Sequence, residues 1–493
     1  MDAQEATFYW YDYETFGLDR RRDRPAQFAG LRTTLELEPV GEGEVFYAKP
    51  SDDYLPSPES VLLTRILPQT CEERGVPERE FAQAVWERFN RPGTISLGYN
   101  TLGFDNEVSR FLFWRNFLDP YSHQWKNGCG YWDLFPVVCA YWALRGEGIN
   151  WPLWENLDPN RFPDALTREG VCFKLEVLTQ ANGLTHNKAH DALSDVEATV
   201  ALARLLRQRS PKFWEWALKN RTKEAVQNAL MRGPVLWISP AFGQQRGFMK
   251  LVAFLAMSPH NRNEALVWDL AYDPEPLLAL SKEEWSRRLF ARKEDLAEGE
   301  ERLPIARMSI NACPFVCADL RVLSDERARH FGLDVEAARR HAGGLEGVLD
   351  RLGGAATASM KGPDRRATDI DAALYQKGFS MSREDERTRN RLGSLPTADL
   401  AAERVTFEDA DLQRLYIRHL GRNAPEALTA EERRAWRAFC KRRLLTGEEG
   451  IRSLNDYAEE IDRLQEGVMD DEEASGYLEA LYEWGETLGE RCA

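Results

Sequence analysis

Phe8-Tyr9-Trp10-Tyr11-Asp12-Tyr13-Glu14-Thr15-Phe16-Gly17 decides how the rest of this chain is read. The short apolar and aromatic run predicts a buried β-strand, whose side chains alternate between faces with a period of two. Asp12 and Glu14, one residue apart, should therefore point to the same side. Two carboxylates on one face repel each other, an arrangement that is costly unless a cation sits between them. Hard divalent ions with oxygen ligands, Mg²⁺ or Mn²⁺, are the natural occupants. The triplet alone is a weak signal. Acidic residues hold 80 of the 493 positions, so acidic-x-acidic triplets arise by chance about 13 times in such a chain.

At 493 residues the chain exceeds one ordinary core, and two or three domains are expected. A hydrophobic content of 43% with 15 tryptophans argues for a folded protein. The eight cysteines show no paired C-x-x-C spacing, which suits reduced, mostly buried thiols in a cytoplasmic protein. The opening MDAQEAT lacks the basic and apolar regions of a signal peptide, and no run approaches a membrane span. A net charge of −16 argues on its face against nucleic acid. The basic residues are clustered, however, at Arg20-Arg21-Arg22 and Arg24, and again at Arg433-Arg434, Arg437 and Lys441-Arg442-Arg443. An acidic total lowers the odds of coating duplex but leaves room for a basic channel.

Working outward, Leu31 to Pro50 reads as a hairpin: a strand from Arg32 to Glu38, a turn at Gly41-Glu42-Gly43, then Glu44 to Ala48. Thr70 and Glu73 have capping-box spacing. Phe81, Val85 and Phe89 mark an amphipathic helix, and Thr94 to Tyr99 a short strand. Phe104-Asp105 then opens a helix whose apolar face is Phe104, Val108, Phe111 and Leu112. On its own Asp105 reads equally well as an N-cap. His190-Asp191-Ala192-Leu193-Ser194-Asp195 enters a further helix, with Leu193, Val196, Val200 and Ala203 as its buried stripe. Taken alone, Asp195 is a first-turn acid favoured by the helix dipole and His190 a loop residue.

The three in combination say more. D-x-E on a strand, F-D at a helix start and H-x₄-D entering a helix supply the parts of two-metal phosphodiester hydrolysis. Asp12, Glu14 and Asp195 would hold two divalent ions, and Asp105 would complete the shell. His190 would take the proton of the attacking water near neutrality.

This pattern is that of the DEDDh 3′→5′ exonucleases, which have a ribonuclease H-like fold. Asp12 to Gly17, Asp23-Arg24-Pro25-Ala26-Gln27-Phe28, Asp52-Asp53-Tyr54-Leu55-Pro56 and Glu147-Gly148-Ile149-Asn150-Trp151-Pro152 resemble bacterial exonuclease I more specifically. The resemblance is strongest over residues 7–206. It continues through Pro259-His260-Asn261-Arg262-Asn263, Asp371-Ala372-Ala373-Leu374-Tyr375 and Arg418-x₃-Arg422-Asn423. It implies an α/β chain in which a ribonuclease H-like mixed-sheet nuclease domain (1–209) precedes an SH3-like β-barrel domain (210–352). A linker (353–368) and a helical C-terminal domain (369–493) follow. It also implies processive release of 5′-mononucleotides from single-stranded DNA in repair and recombination, two Mg²⁺ ions with Mn²⁺ as a possible substitute, and a monomer. The family docks the acidic, hydrophobic C-terminal tail of single-stranded DNA-binding protein, for which Arg145 is the candidate contact.

Two positions depart from the family pattern. Arg65 stands within Thr64-Arg65-Ile66 where Thr-Gly-Ile is common, and could touch the terminal nucleotide or project into solvent. Lys174 replaces an arginine, keeping charge for a phosphate but losing the bidentate fork. With Glu14, and with Phe16 as a base-stacking candidate beside the carboxylates, these form the expected substrate contacts. Most other aromatics, Trp10, Phe104, Trp132 and Trp151 among them, read as core. Two other functions stay open: an exonuclease trimming RNA or structured 3′ ends, and a catalytically silent single-stranded DNA end-binding module. Four mutually repelling carboxylates argue against the silent module.

Overall fold

The structure is a computed structural model that describes residues 5–184, 192–289, 291–348, 369–468 and 471–492. The described residues fall into two compact units, one drawn from 1–131, 186–200 and 365–493, the other from 132–185 and 201–364. The linker expected at 353–368 lies outside the described residues, as does His190.

The first unit is built on a mixed five-stranded sheet in the order β3-β2-β1-β4-β5. Its strands are β1 (Thr7–Thr15), β2 (Pro25–Thr34), β3 (Glu44–Tyr47), β4 (Thr94–Leu97) and β5 (Gly130–Tyr131). The run that opens the chain is the central strand. β1 pairs antiparallel with β2 on one side and parallel with β4 on the other. All residues of β1 but Thr7 and Asp12 are buried, which suits its mostly apolar and aromatic character. The hairpin differs from expectation in its bounds. β2 begins at Pro25 and ends at Thr34, because Gln27 to Gly30 are drawn into pairing with both β1 and β3. The expected capping box at Thr70 is also absent: that helix spans Pro68–Arg74 and starts on its proline, leaving Thr70 inside it.

Helix α1 (Glu78–Asn90) buries Phe81, Val85 and Phe89 as its spacing predicts, against Tyr9, Tyr11 and Phe28 of the sheet. Helix α2 (Asp105–Arg115) and helix α3 (Ala192–Arg209) follow, the latter burying Val196, Val200 and Ala203. The C-terminal part of this unit contributes α4 (Ala410–Asn423), α5 (Ala430–Thr446), α6 (Leu454–Gly467) and α7 (Glu472–Cys492). Leu412, Leu415, Tyr416 and Leu420 of α4 form one core with Phe111, Trp114 and Phe117. α7 buries Leu478, Leu481, Trp484 and Leu488. Its acidic residues occupy the opposite side of an amphipathic helix.

Beneath these apolar contacts lies a buried ion network. The Arg422 guanidinium reaches Asp53 at 2.7 Å and Asp371 at 2.6 Å, and Arg443 touches the same two carboxylates and Asp369. Arg24 and Arg115 both meet Glu78. Burial alone would raise the pKa of Glu78, but the guanidiniums of Arg115 and Arg24 outweigh it and bring it down to about 2.

The second unit carries an all-antiparallel sheet in the order β10-β6-β7-β8-β9. Its strands are β6 (Val235–Ile238), β7 (Met249–Met257), β8 (Glu264–Asp269), β9 (Ile305–Ser309) and β10 (Phe315–Cys317). Val235, Val252, Val267 and Met308 form the centre of its core. Among the described residues no helix is long and apolar enough to cross a membrane, and the eight cysteines are free thiols.

Candidate active site

Strand alternation puts Asp12 and Glu14 on one side of β1, opposite Ala29 and Gln27 of β2. Directly after Glu14 the β1–β2 register shifts, and a bulge of this kind re-aims side chains at a strand's end. Asp195 arrives from the first turn of α3. Oxygens of Asp12, Glu14 and Asp195 lie within 4.8 Å of one another. Glu14 is buried, and the other two are half-buried. Asp105 is the first residue of α2. Its Oδ1 accepts from the backbone N–H of Tyr13, between the two acids of β1, at 3.3 Å.

Burial raises the Asp12 carboxyl well above the usual range, and the charges of Asp105, Glu14 and Asp195 add to it in that order. Four carboxylates from three separated stretches thus act on one another at one spot. An oxygen-only, multiply charged donor set of this kind fits hard divalent cations.

One positioning residue was not evident from the sequence. Gln27, cross-strand from Glu14, accepts from the backbone N–H of Ala192 at 3.3 Å and donates to the Tyr47 hydroxyl at 2.7 Å. It thereby ties the first residue of α3 to the sheet. Nothing in the spacing of a single glutamine signals this.

The expected substrate contacts fare differently. Phe16 is corrected: its ring is 1% exposed, packed with Leu55, Val61 and Leu444 in the core, and has no free face for a base. Arg65 caps the helix Pro58–Thr64 in the left-handed region and pairs with Glu473 of α7 at 3.1 Å. Lys174, in the second unit, pairs with Asp164 at 3.6 Å and lies 5.6 Å from the centres of the Trp154 and Phe162 rings. Arg145 lies in the same unit and donates to the carbonyls of Leu144 and Val322.

Three family models match the chain: Exonuclease over residues 9–203, Exonuclease I SH3-like domain over 221–350 and Exonuclease I C-terminal domain over 368–488. The exodeoxyribonuclease I of Escherichia coli is 37% identical, with 98% of each chain covered. An exonuclease I from Methylocaldum szegediense superposes with a TM-score of 0.87 at 37% identity, over 98% of this chain and 100% of that one. A zinc-bound complex of Escherichia coli exonuclease I with single-stranded DNA gives 0.85 at 36% identity, with the same shares covered. Agreement along the whole length, over a mixed α/β sheet, an antiparallel second sheet and a helical C-terminus, leaves one assignment: the chain belongs to the exonuclease I family of nucleases.

Proposed function

We propose that this chain degrades single-stranded DNA from the 3′ end to 5′-mononucleotides, processively, in DNA repair and recombination. The convergence of Asp12, Glu14 and Asp195 within 4.8 Å carries the reading. The single strand held by the Escherichia coli relative supports the substrate class. Asp12, Glu14 and Asp195 would hold two Mg²⁺ ions, for which Mn²⁺ could substitute, and Asp105 would complete the shell. Bound there, such a pair supplies an acidified water and charge stabilisation at the leaving 3′-oxygen.

The remaining work falls to the chain itself. β1, paired with β2 through Asp12 and Glu14, keeps the two carboxylates on one side, and the Tyr13 N–H bonds to Asp105 beside them. His190, five residues before Asp195, would accept the water's proton, with an ordinary pKa of about 6.5 suited to neutrality.

The acidic tail of single-stranded DNA-binding protein is the proposed partner. Arg145 lines a cavity of about 800 Å³ together with Arg209, Arg327 and His330. Carbonyl bonds hold the Arg145 and Arg327 guanidiniums in place. Such a fixed basic wall suits a carboxylate-rich peptide.

The deciding experiment follows nucleotide release from 3′-labelled single-stranded DNA with Mg²⁺, beside matched duplex and RNA. Mononucleotides from the single strand alone, abolished by EDTA and by Asp12→Ala, are expected. A preference for RNA would move the chain to RNA trimming. Binding without cleavage would make it an end-binding module.

A further inference from the structure

Cys440 of α5 and Cys492 in the last turn of α7 meet where the two helices pack. Cys440 is 2% exposed, in a core with Tyr416, Leu420, Trp436 and Phe439, and Cys492 packs against that core. The Cys440 thiol hydrogen-bonds the Cys492 sulfur. The loop before the helix Pro58–Thr64 holds both helices at this point. Its Asp53 pairs with Arg443 of α5 at 3.2 Å, and its Asp52 pairs with Arg491 of α7 at 3.3 Å. The Cys492 thiol also donates to the Asp52 carbonyl at 3.7 Å. The two sulfurs thus face each other across a contact that charged groups fix on either side.

Exposure and acidity divide the pair. Cys492 is half-buried, whereas the other seven cysteines are buried. Burial pushes those seven thiols up, Cys71 and Cys313 to about 12. Cys492 alone moves down. The bond from Cys440 favours its thiolate, against burial and the charges of Asp52 and Asp53, and Arg491 adds a smaller pull in the same direction. A thiolate is the form that attacks peroxides, and an accessible one beside a second thiol passes readily to a disulfide.

We propose that Cys492 and Cys440 form a redox site that reduces a hydroperoxide and thereby joins the last turn of α7 covalently to α5. The Cys492 sulfur attacks the O–O bond and keeps one oxygen as a sulfenic acid. The other oxygen leaves as an alcohol, or as water from hydrogen peroxide, carrying the proton that Cys492 gave up. The Cys440 sulfur then displaces the sulfenic hydroxyl, which leaves as water with the Cys440 proton. Two thiols lose two electrons to become one disulfide, and the peroxide gains the same two. Bonded sulfurs stand about 2.05 Å apart, so closure asks for a short approach by a helix end, the part of a helix that frays. The segment closed between 440 and 492 carries α6 and α7, and oxidation fastens both to the core.

The test treats the full-length protein with a small excess of hydrogen peroxide, denatures it in an alkylating reagent and maps the thiols by mass spectrometry. Cys440 and Cys492 should be recovered as one linked peptide pair that dithiothreitol reopens, while the other six thiols alkylate as before. Cys492 should react about tenfold faster than any of those six. In Cys440→Ala, dimedone should trap Cys492 as the sulfenic acid, and in Cys492→Ala, Cys440 should remain a thiol. Trypsin should release fragments of 454–492 about tenfold more slowly from the oxidised parent than from the reduced one. A treated parent that keeps all eight thiols, or that links other cysteines, overturns the proposal. So does a Cys492 that reacts no faster than Cys71. Equal trypsin rates overturn the fastening of α6 and α7. The linkage is read on the parent, so a variant that fails to fold does not blur the result.

Discussion

The backbone N–H of Tyr13 bonds to the side chain of Asp105, so the start of α2 is anchored to β1 between Asp12 and Glu14. Ninety-two residues separate the partners. The bond makes one Asp105 oxygen structural and leaves the charge of the group for the site.

Asp105→Asn separates those two roles. The amide oxygen can still accept from Tyr13, so the melting temperature should stay near that of the parent. Cleavage at limiting Mg²⁺ should fall roughly 10- to 100-fold, as for other groups that support a metal shell. A Mg²⁺ titration of rate shows this. An unchanged titration would remove Asp105 from the site.

Asp12→Asn should stabilise the metal-free protein while abolishing cleavage. The raised pKa means that the folded state binds this proton more tightly than the unfolded chain does. Stability therefore falls as pH rises above the ordinary value of 3.8. Removing the charge should gain about 0.5–2 kcal/mol in EDTA at neutral pH, and the gain should vanish in acid. Saturating Mg²⁺ should reverse the order, raising the melting temperature of the parent only. Thermal melts in EDTA and in Mg²⁺ across pH would read both effects.

Arg422→Ala should cost about 3–5 kcal/mol, because Asp53 and Asp371 lose a buried partner that contacts both. The parent should lose stability in acid for a related reason. Glu78, held down to about 2 by Arg115 and Arg24 against its burial, contributes stability that is present above its ordinary value of 4.5 and lost as pH falls toward 2. Denaturant midpoints between these pH values should decline for the parent, and an invariant midpoint would contradict the network's charge state.

Gly17→Ala should destabilise by roughly 1–3 kcal/mol. A Cβ there would stand 2.0 Å from an Asp23 carboxylate oxygen, displacing a group that accepts from the Tyr54 hydroxyl at 2.8 Å and the Asp19 N–H at 2.7 Å. Gly17 is three residues past Glu14, so cleavage should suffer beyond the loss of fold. Comparing rates and melting temperatures in Gly17→Ala and Asp23→Asn would test whether the loop positions the strand's end.

Strand alternation put Asp12 and Glu14 on one face, and Asp105 and Asp195 stood at the starts of periodic helices, but each alone had an ordinary reading and only their order joined them. Those regularities are set by neighbouring residues and survive in a one-dimensional reading. Phe16 shows the limit. It adjoins the carboxylates in sequence and looked available, yet Leu55, Val61 and Leu444 close over it.

The sequence by itself determined a buried acidic strand, the order of its partner motifs and a family resemblance running through the whole chain, since alternation, helical period and motif order need only near neighbours. The tertiary structure alone decided which charges are brought together. Arg422 and Asp53 are 369 positions apart, and Gln27 meets Ala192 across 165. No periodicity links such residues. They meet only when distant segments pack, and there the fold gathers opposite charges in the arginine network and like charges at Asp12, Glu14 and Asp195.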